Sequence, residues 1–167
     1  MTTPRLPFAV VAAACLVLAT ACAPATPSPE ESEAASAMTG TLTFSNGSLP
    51  PPGHYELELE LTAETYTLTW SGYDDEVGSA TGVPIDVPGA VAILDEAGLL
   101  AGDDDTGDCV GGSTADIDIE VDEERISSSA GTCGGEGGAG DVRDAIEAVT
   151  GADAVSDAVA QVKKATS

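Results

Sequence analysis

The chain has 167 residues, of which 43% are hydrophobic and only 4% aromatic, which suits one domain with a modest core and terminal extensions. Twenty-nine acidic residues against five basic ones give a formal charge of −24, which disfavours binding to nucleic acid or to anionic lipid headgroups. Two interpretations of this charge stay open: solubility or adaptation to high salt, and attraction of cations or basic partners.

Residues 1–21 have the pattern of an export signal. Arg5 precedes an apolar run from about Leu6 to Ala21, which is long enough for the hydrophobic part of a signal peptide but short for a spanning helix. The run ends in Leu18-Ala19-Thr20-Ala21-Cys22. This segment resembles the lipobox of bacterial lipoproteins, in which the cysteine takes a diacylglyceryl thioether and becomes the mature N-terminus. An ordinary signal peptide cut after Ala21, or an uncleaved anchor, is the alternative.

The lipobox resemblance implies both a cellular location and a membrane anchor. It predicts a lipid on Cys22 and a chain held at the cell membrane on its extracytoplasmic face. Two or more acyl chains anchor a protein stably without a basic patch, and the sequence has none near Cys22. Removal of residues 1–21 takes away Arg5 and no acidic residue, so the mature chain has a formal charge of −25.

The next segment, residues 22–38, is predicted to be a disordered tether. From Ala23 to Ala37 it contains proline, serine, alanine, threonine and glutamate but no large apolar residue, so it has little surface to bury. Fifteen residues at the polyproline rise of about 3.1 Å each would reach roughly 45 Å. A single domain is predicted for residues 39–167.

The domain is predicted to begin with three strands. Thr41–Phe44 forms the first and stops at the Asn46-Gly47 turn signal, and the Pro-rich segment Leu49–Gly53 follows as a stiff loop. Tyr55–Leu61 alternates apolar residues with Glu56, Glu58 and Glu60, which places these glutamates on one face. The next strand alternates Tyr66, Leu68 and Trp70 with threonines, and the short link between the two strands predicts a hairpin.

A helix is predicted after a polar loop from Gly72 to Gly82. Asp86 caps this helix, Pro88 lies in its first turn and Gly98 ends it. Its apolar stripe contains Val87, Ala90, Val91, Leu94 and Ala97.

The C-terminal part is predicted to contain a second hairpin and two helical segments. Asp116–Asp122 alternates with Ile117, Ile119 and Val121 inward, and Arg125–Ala130 returns as its partner strand. Gly134–Gly140 is predicted to be flexible. Asp141 then caps a short helix that presents Val142, Ile146 and Val149, and a further amphipathic segment follows Gly151 with Val155, Val159, Val162 and a C-terminal Lys163-Lys164 pair.

These elements predict an α+β fold. Each strand has one apolar face, so we expect a small antiparallel sheet, wet on one face and covered by helices on the other. Cys15 leaves with the leader and Cys22 takes the lipid, so an oxidising compartment should join Cys109 to Cys133 in a disulfide. In the chain-entropy model this loop of about 25 residues contributes roughly 3.5 kcal/mol.

Two weaker resemblances concern the domain. The segments Pro51-Pro52-Gly53-His54-Tyr55, Cys109-Val110-Gly111-Gly112 and Cys133-Gly134-Gly135 resemble a pattern in small secreted bacterial proteins of unassigned function. This resemblance spans about Gly40 to Val149 and implies a unit held by the same cysteine pair. The order of elements is also similar to that of emfourin-type inhibitors of metalloproteases, from which no inhibitory residue carries over.

Few residues are candidates for a site. His54 is the only histidine, and it either pins the Pro-rich loop or contacts a ligand together with Tyr55. A set of four aspartates is either a solvated acidic loop or a calcium site that departs from the EF-hand pattern: Asp103, Asp104, Asp105 and Asp108. The glutamate face is either a wet surface or a binding surface.

No catalytic motif, metal motif or cofactor motif is recognised. The sequence therefore predicts a non-enzymatic, membrane-anchored binding or structural module with no cofactor and a basic or other protein partner at the cell surface. Two alternatives stay open. One is an inhibitor of an extracellular protease, suggested by the element order, and the other is an enzyme with an unrecognised acidic site.

Overall fold

The computed structural model describes residues 37–47, 49–73, 76–102, 111–132 and 138–167. The strands are β1 Met38–Ser45, β2 Glu56–Leu61, β3 Tyr66–Ser71, β4 Glu76–Gly82, β5 Ser113–Val121 and β6 Glu124–Thr132. The helices are α1 Val87–Glu96, α2 Ala139–Thr150 and α3 Ala152–Ala165. All strand pairs are antiparallel, and the order across the single sheet is β4-β3-β2-β1-β5-β6. The predicted α+β class is therefore confirmed.

The period-two pattern decides which face of the sheet is buried. Leu57, Leu59 and Leu61 of β2 are buried, whereas Glu58 and Glu60 between them are exposed. Burial of one leucine side chain stabilises a fold by about 1.5–3 kcal/mol, so a shift of one residue would lose three such contributions at once. The same rule buries the apolar residues of β3 and β5, and both predicted hairpins are confirmed.

The segment from Gly72 to Gly82 was predicted to be a polar loop, and this prediction is wrong for residues 76–82. Residues Glu76–Gly82 form β4, an edge strand without a buried residue. In the register with β3, Trp70 lies opposite Gly78 and Tyr66 opposite Gly82. A Cβ atom at Gly78 would lie 2.9 Å from the Trp70 ring, and one at Gly82 would lie 2.7 Å from the Tyr66 ring. Each aromatic side chain takes the space of its small partner, so β4 lacks the apolar alternation that marks a strand.

Helix α1 has the capping residues that the sequence predicts. Asp86 Oδ1 accepts a hydrogen bond from the amide of Gly89 at 2.8 Å, which satisfies one of the free donors of the first turn. Gly98 follows the helix with φ +75°, a left-handed conformation that glycine adopts without a steric penalty. Ala90 and Leu94 of the predicted stripe are fully buried.

Helix α2 begins earlier than predicted, and Asp141 is not its cap. The N-cap is Gly138, and no side chain caps the helix there. Ala139 is fully buried, and a Cβ atom at Gly138 would lie 3.2 Å from Leu99 Cδ2, so close packing directs the start of the helix. Asp141 lies in the first turn, where its charge interacts favourably with the helix dipole. Gly140 of the predicted flexible segment is therefore helical.

Helices α2 and α3 cover the apolar face of the sheet. α2 contacts β1, β5 and β6, and α3 contacts β3 and β4. The apolar residues predicted for these helices are fully buried except Val159, which is partly buried: Val142, Ile146, Val149, Val155 and Val162. Among the helices of the described residues, none is long and apolar enough to cross a membrane.

Several predicted features lie outside the described residues. They are the signal peptide 1–21 with Cys15, the tether as far as residue 36 with Cys22, the aspartates of residues 103–108, and both Cys109 and Cys133. These features stay predictions.

Candidate functional site

The face of the sheet turned away from the helices is acidic. Two strands contribute its carboxylates, and every one of these side chains is exposed except that of Glu56, which is partly buried. We call this set the acidic face: Glu56, Glu58 and Glu60 from β2, and Asp116, Asp118 and Glu120 from β5.

An uncharged strand separates the two rows of carboxylates. In β1, Thr41 lies opposite both Glu60 and Asp118. Like charges directly opposite each other destabilise a sheet, and inserting β1 keeps the two acidic strands about 9.6 Å apart, twice the spacing of neighbouring strands. The sequence predicted threonines beside the glutamates on the β3 side, and the pairing of β2 with β3 confirms this. The pairing of β1 with β5 joins distant parts of the chain and was not predicted.

Arg125 is the one basic residue of the described strands. Its Nε and Nη2 donate hydrogen bonds to the two carboxylate oxygens of Asp118, at 3.0 and 2.9 Å. This hydrogen bonding by Arg125 lowers the pKa of Asp118 and raises the pKa of Arg125 itself. Both side chains are exposed, so the pair contributes little to stability. One cation among six carboxylates leaves the face strongly negative.

This charge predicts a stability that depends on salt. We expect the melting temperature to rise with sodium chloride, because screening weakens the self-repulsion of an acidic chain once the Debye length falls to about 3 Å near 1 M. Thermal unfolding followed by circular dichroism at increasing sodium chloride measures it. A melting temperature that does not change with salt would contradict the repulsion.

A calcium titration distinguishes this general stabilisation by salt from binding at a discrete site. A site at Asp103, Asp104, Asp105 and Asp108 would saturate at low calcium concentration, at fixed ionic strength. The control carries Asp104→Asn and Asp105→Asn. Sharp calcium stabilisation that this double variant abolishes would favour the calcium site over the solvated loop.

His54 is buried in the loop between β1 and β2. Its Nδ1 lies 2.6 Å from the carbonyl oxygen of Gly47, and because a carbonyl only accepts, Nδ1 carries the proton and donates. The ring stacks on Tyr73 with 3.9 Å between ring centroids. Nε2 is buried, lies 3.5 Å from Glu56 Oε1 and has no hydrogen-bond partner among the described residues. These contacts agree with the interpretation that His54 holds the loop, and a ligand contact stays a prediction.

Tyr55 belongs to the same loop framework. Its amide donates to Asn46 Oδ1 at 2.8 Å and its carbonyl accepts from the Asn46 amide at 3.2 Å. Its ring is tilted against Phe44, with centroids 5.9 Å apart. His54 and Tyr55 are adjacent in sequence, and the structure gives them different partners: His54 stacks on Tyr73, whereas Tyr55 packs on Phe44.

Tyr73 is a residue of this region that the sequence did not single out. It covers His54, and its hydroxyl donates to the carbonyl oxygen of Leu49 at 2.6 Å. The sequence did offer one signal for Tyr73, because aromatic residues are few in this chain. The surrounding segment was nevertheless interpreted as a loop. In the described ranges, no group of three or more histidine, cysteine, aspartate or glutamate residues is arranged to hold a metal ion.

No family model, curated protein or solved structure matches the chain. The properties of its own residues therefore carry the functional interpretation.

Proposed function

We propose that the chain is a lipid-anchored extracytoplasmic lipoprotein whose domain is a non-enzymatic binding module for a basic protein partner. The acidic face is the observation that supports the binding role. It presents six carboxylates on two strands of one sheet, and Arg125 of the neighbouring strand β6 is the only basic residue in the described strands, so the field of this face attracts positive charge. A rigid sheet also holds these groups without the ordering cost that a loop would pay on binding.

The entry of the chain into the domain is compatible with the anchor. The amide of Ala37 donates to Asp122 Oδ1 at 3.1 Å, and its carbonyl accepts from the Asp122 amide at 3.1 Å. Met38 directly after it begins β1. The chain thus enters at one end of the sheet, and the loop that carries His54 lies at the other end. A tether from Cys22 would leave both that loop and the acidic face accessible to a partner.

The neighbouring ends of strands β5 and β6 are also compatible with a disulfide between Cys109 and Cys133. Ser113 of β5 pairs directly with Thr132 of β6. Cys133 is the next residue after Thr132, and Cys109 precedes Ser113 by four residues. Both cysteines therefore continue from neighbouring strand ends, which supports the proposed covalent link.

Replacement of Cys22 tests the anchor. We expect Cys22→Ser to abolish lipidation and release the chain from the membrane, or to stall it uncut, because serine cannot form the thioether. Metabolic labelling with a palmitate analogue, followed by membrane fractionation, measures both effects. Cys15→Ser is the matched control and should keep the label. Label retained by the Cys22→Ser chain would rule the assignment out.

The binding role can be tested with two triple variants that carry the same change in charge. One neutralises the acidic face with Glu58→Gln, Glu60→Gln and Asp116→Asn, and the control neutralises three exposed helical carboxylates with Glu96→Gln, Asp153→Asn and Asp157→Asn. The tagged full chain and both variants are used to capture proteins from the envelope of the producing cell.

The proposal expects a basic protein that the wild-type chain and the helical control retain and the face variant loses. Equal loss from both variants would mean general attraction to a charged chain and would contradict a defined surface. Capture of an extracellular protease, with loss of its activity at near-stoichiometric amounts, would instead favour the inhibitor hypothesis.

A further inference from the structure

A cavity of about 420 Å³ lies between the start of β4 and the last turn of α3. This volume falls within the range of small-molecule sites. Tyr73, Glu76 and Val77 line it on the sheet side, and Ala165 and Thr166 line it on the helix side. The cavity is at the end of the sheet opposite Met38, where β1 begins.

Tyr73, which forms part of the cavity wall, is held in place by two contacts outside the cavity. One face of the Tyr73 ring stacks on His54, and its hydroxyl is bonded to the carbonyl oxygen of Leu49. The side chain is nevertheless half exposed. Because these contacts fix the ring, its exposed part can contact a ligand without losing further rotamer freedom. A tyrosine face attracts a cation within about 6 Å of the ring centre.

The polar groups of the cavity accept hydrogen bonds. Glu76 is the only acidic residue among the described residues that line it. Thr166 donates its amide and its hydroxyl to the carbonyl oxygen of Val162, at 3.0 and 2.9 Å, so neither donor is left for a ligand. The last turn of a helix leaves carbonyl oxygens without helical partners, and these carry partial negative charge. With the Tyr73 hydroxyl also used as a donor, a matching ligand must bring donors and positive charge.

Apolar surface completes the cavity. Val77, Ala165 and Pro51 contribute it beside the acceptors. Lys163 and Lys164 belong to the last turn of α3 but are exposed and not among the described residues that line the cavity. We propose that this cavity binds a protonated primary amine on a short apolar chain, with the ammonium group at Glu76 and the helix end and the alkyl chain against Val77 and Tyr73. The site goes beyond the proposed function, because it requires neither the lipid nor a partner on the acidic face.

The test uses n-hexylammonium chloride as the probe on the purified full chain. Two-dimensional NMR follows the backbone amides during a titration at 0.15 M salt. We expect saturable shifts confined to residues such as Tyr73, Val77 and Thr166. For a ligand of only seven heavy atoms we expect a dissociation constant of roughly 1–30 mM. Shifts that spread over Thr41 and Asp118 and do not saturate would overturn the proposal, because they would report general attraction to the acidic chain.

Variants and analogues make the outcome specific. Glu76→Gln should weaken hexylammonium binding about fivefold or more, whereas Glu96→Gln, an exposed carboxylate on α1, should leave the affinity unchanged. Hexanoate should not bind, and hexanol should bind at least about tenfold more weakly than the amine. Equal effects of the two variants, or hexanoate or hexanol binding as well as the amine, would overturn the proposal.

A further arm identifies the source of the amine. N-acetyl-lysine methylamide presents the same ammonium group as a lysine side chain within a protein. Binding as tight as that of hexylammonium supports the site as a pocket for a lysine of a partner, and much weaker binding supports a free alkylamine. Failure of all amines with intact capture by the acidic face would overturn this inference and leave the proposed function standing.

Discussion

Replacing Gly40 with alanine should lower the free energy of unfolding by about 3 kcal/mol or more. Gly40 lies in the central strand β1 with φ +121°, a conformation in which any other residue is strained. A Cβ atom there would lie 2.7 Å from Ile119 Cα and closer still to the carbonyl oxygen of Asp118. Both are backbone atoms of β5, so the clash cannot be relieved by rotating a side chain, and β1 must separate from its neighbour. Urea unfolding followed by the fluorescence of Trp70 measures the loss.

Gly98 provides the matched control for this substitution. It also has a positive φ, +75°, but nothing lies within 4 Å of the position that its Cβ atom would take. Gly98→Ala should therefore cost only about 1 kcal/mol, the conformational part of the penalty. Equal losses in the two variants would contradict the close approach of β1 and β5 at Gly40.

Removing the proposed disulfide should have an effect of similar size. We expect the double variant Cys109→Ser, Cys133→Ser to lose roughly 3.5 kcal/mol, because an open loop of about 25 residues gives the unfolded chain more freedom. Urea unfolding of the oxidised chain and the double variant gives the difference. Mass spectrometry of peptides under non-reducing conditions should show the linked pair.

The single variants and the reduced chain are the controls for that measurement. Each single variant should match the double variant in stability, since either one breaks the same link. Reduction should destabilise the wild-type chain and leave the double variant unaffected. Two alkylatable thiols in native material, at residues 109 and 133, would show that the proposed link is absent.

The acidic face illustrates how much of the candidate site the sequence could predict. The alternation in residues 55–61 and 116–122 predicts that one side of each strand carries carboxylates, because period two sends every second side chain to the same face. It does not tell how far apart the two rows lie. That distance depends on the placement of β1 between β2 and β5, which joins segments from opposite halves of the chain.

The cavity beside Glu76 could not be predicted from the sequence, for a different reason. Its wall consists of residues whose roles arise only from their neighbours: Tyr73 is fixed by His54, and Thr166 is brought to Gly72 by the packing of α3 on the sheet. The segment that contains Glu76 and Val77 was also interpreted as a loop. A pattern that is local cannot reveal a cavity whose two sides come from β4 and α3.

The sequence by itself determined the strands with strict alternation, the limits of α1 and the buried stripes of α2 and α3. In these elements the local period and the capping residues agree with the packing. Only the tertiary structure decided that Glu76–Gly82 is a strand, that α2 begins at Ala139, and that β1 lies between the acidic strands. For β4 and α2 the physical reason is a close contact that the local pattern does not show: Trp70 lies opposite Gly78, and Gly138 approaches Leu99. β1 lies between the acidic strands because it pairs with β2 on one side and with β5, from the other half of the chain, on the other.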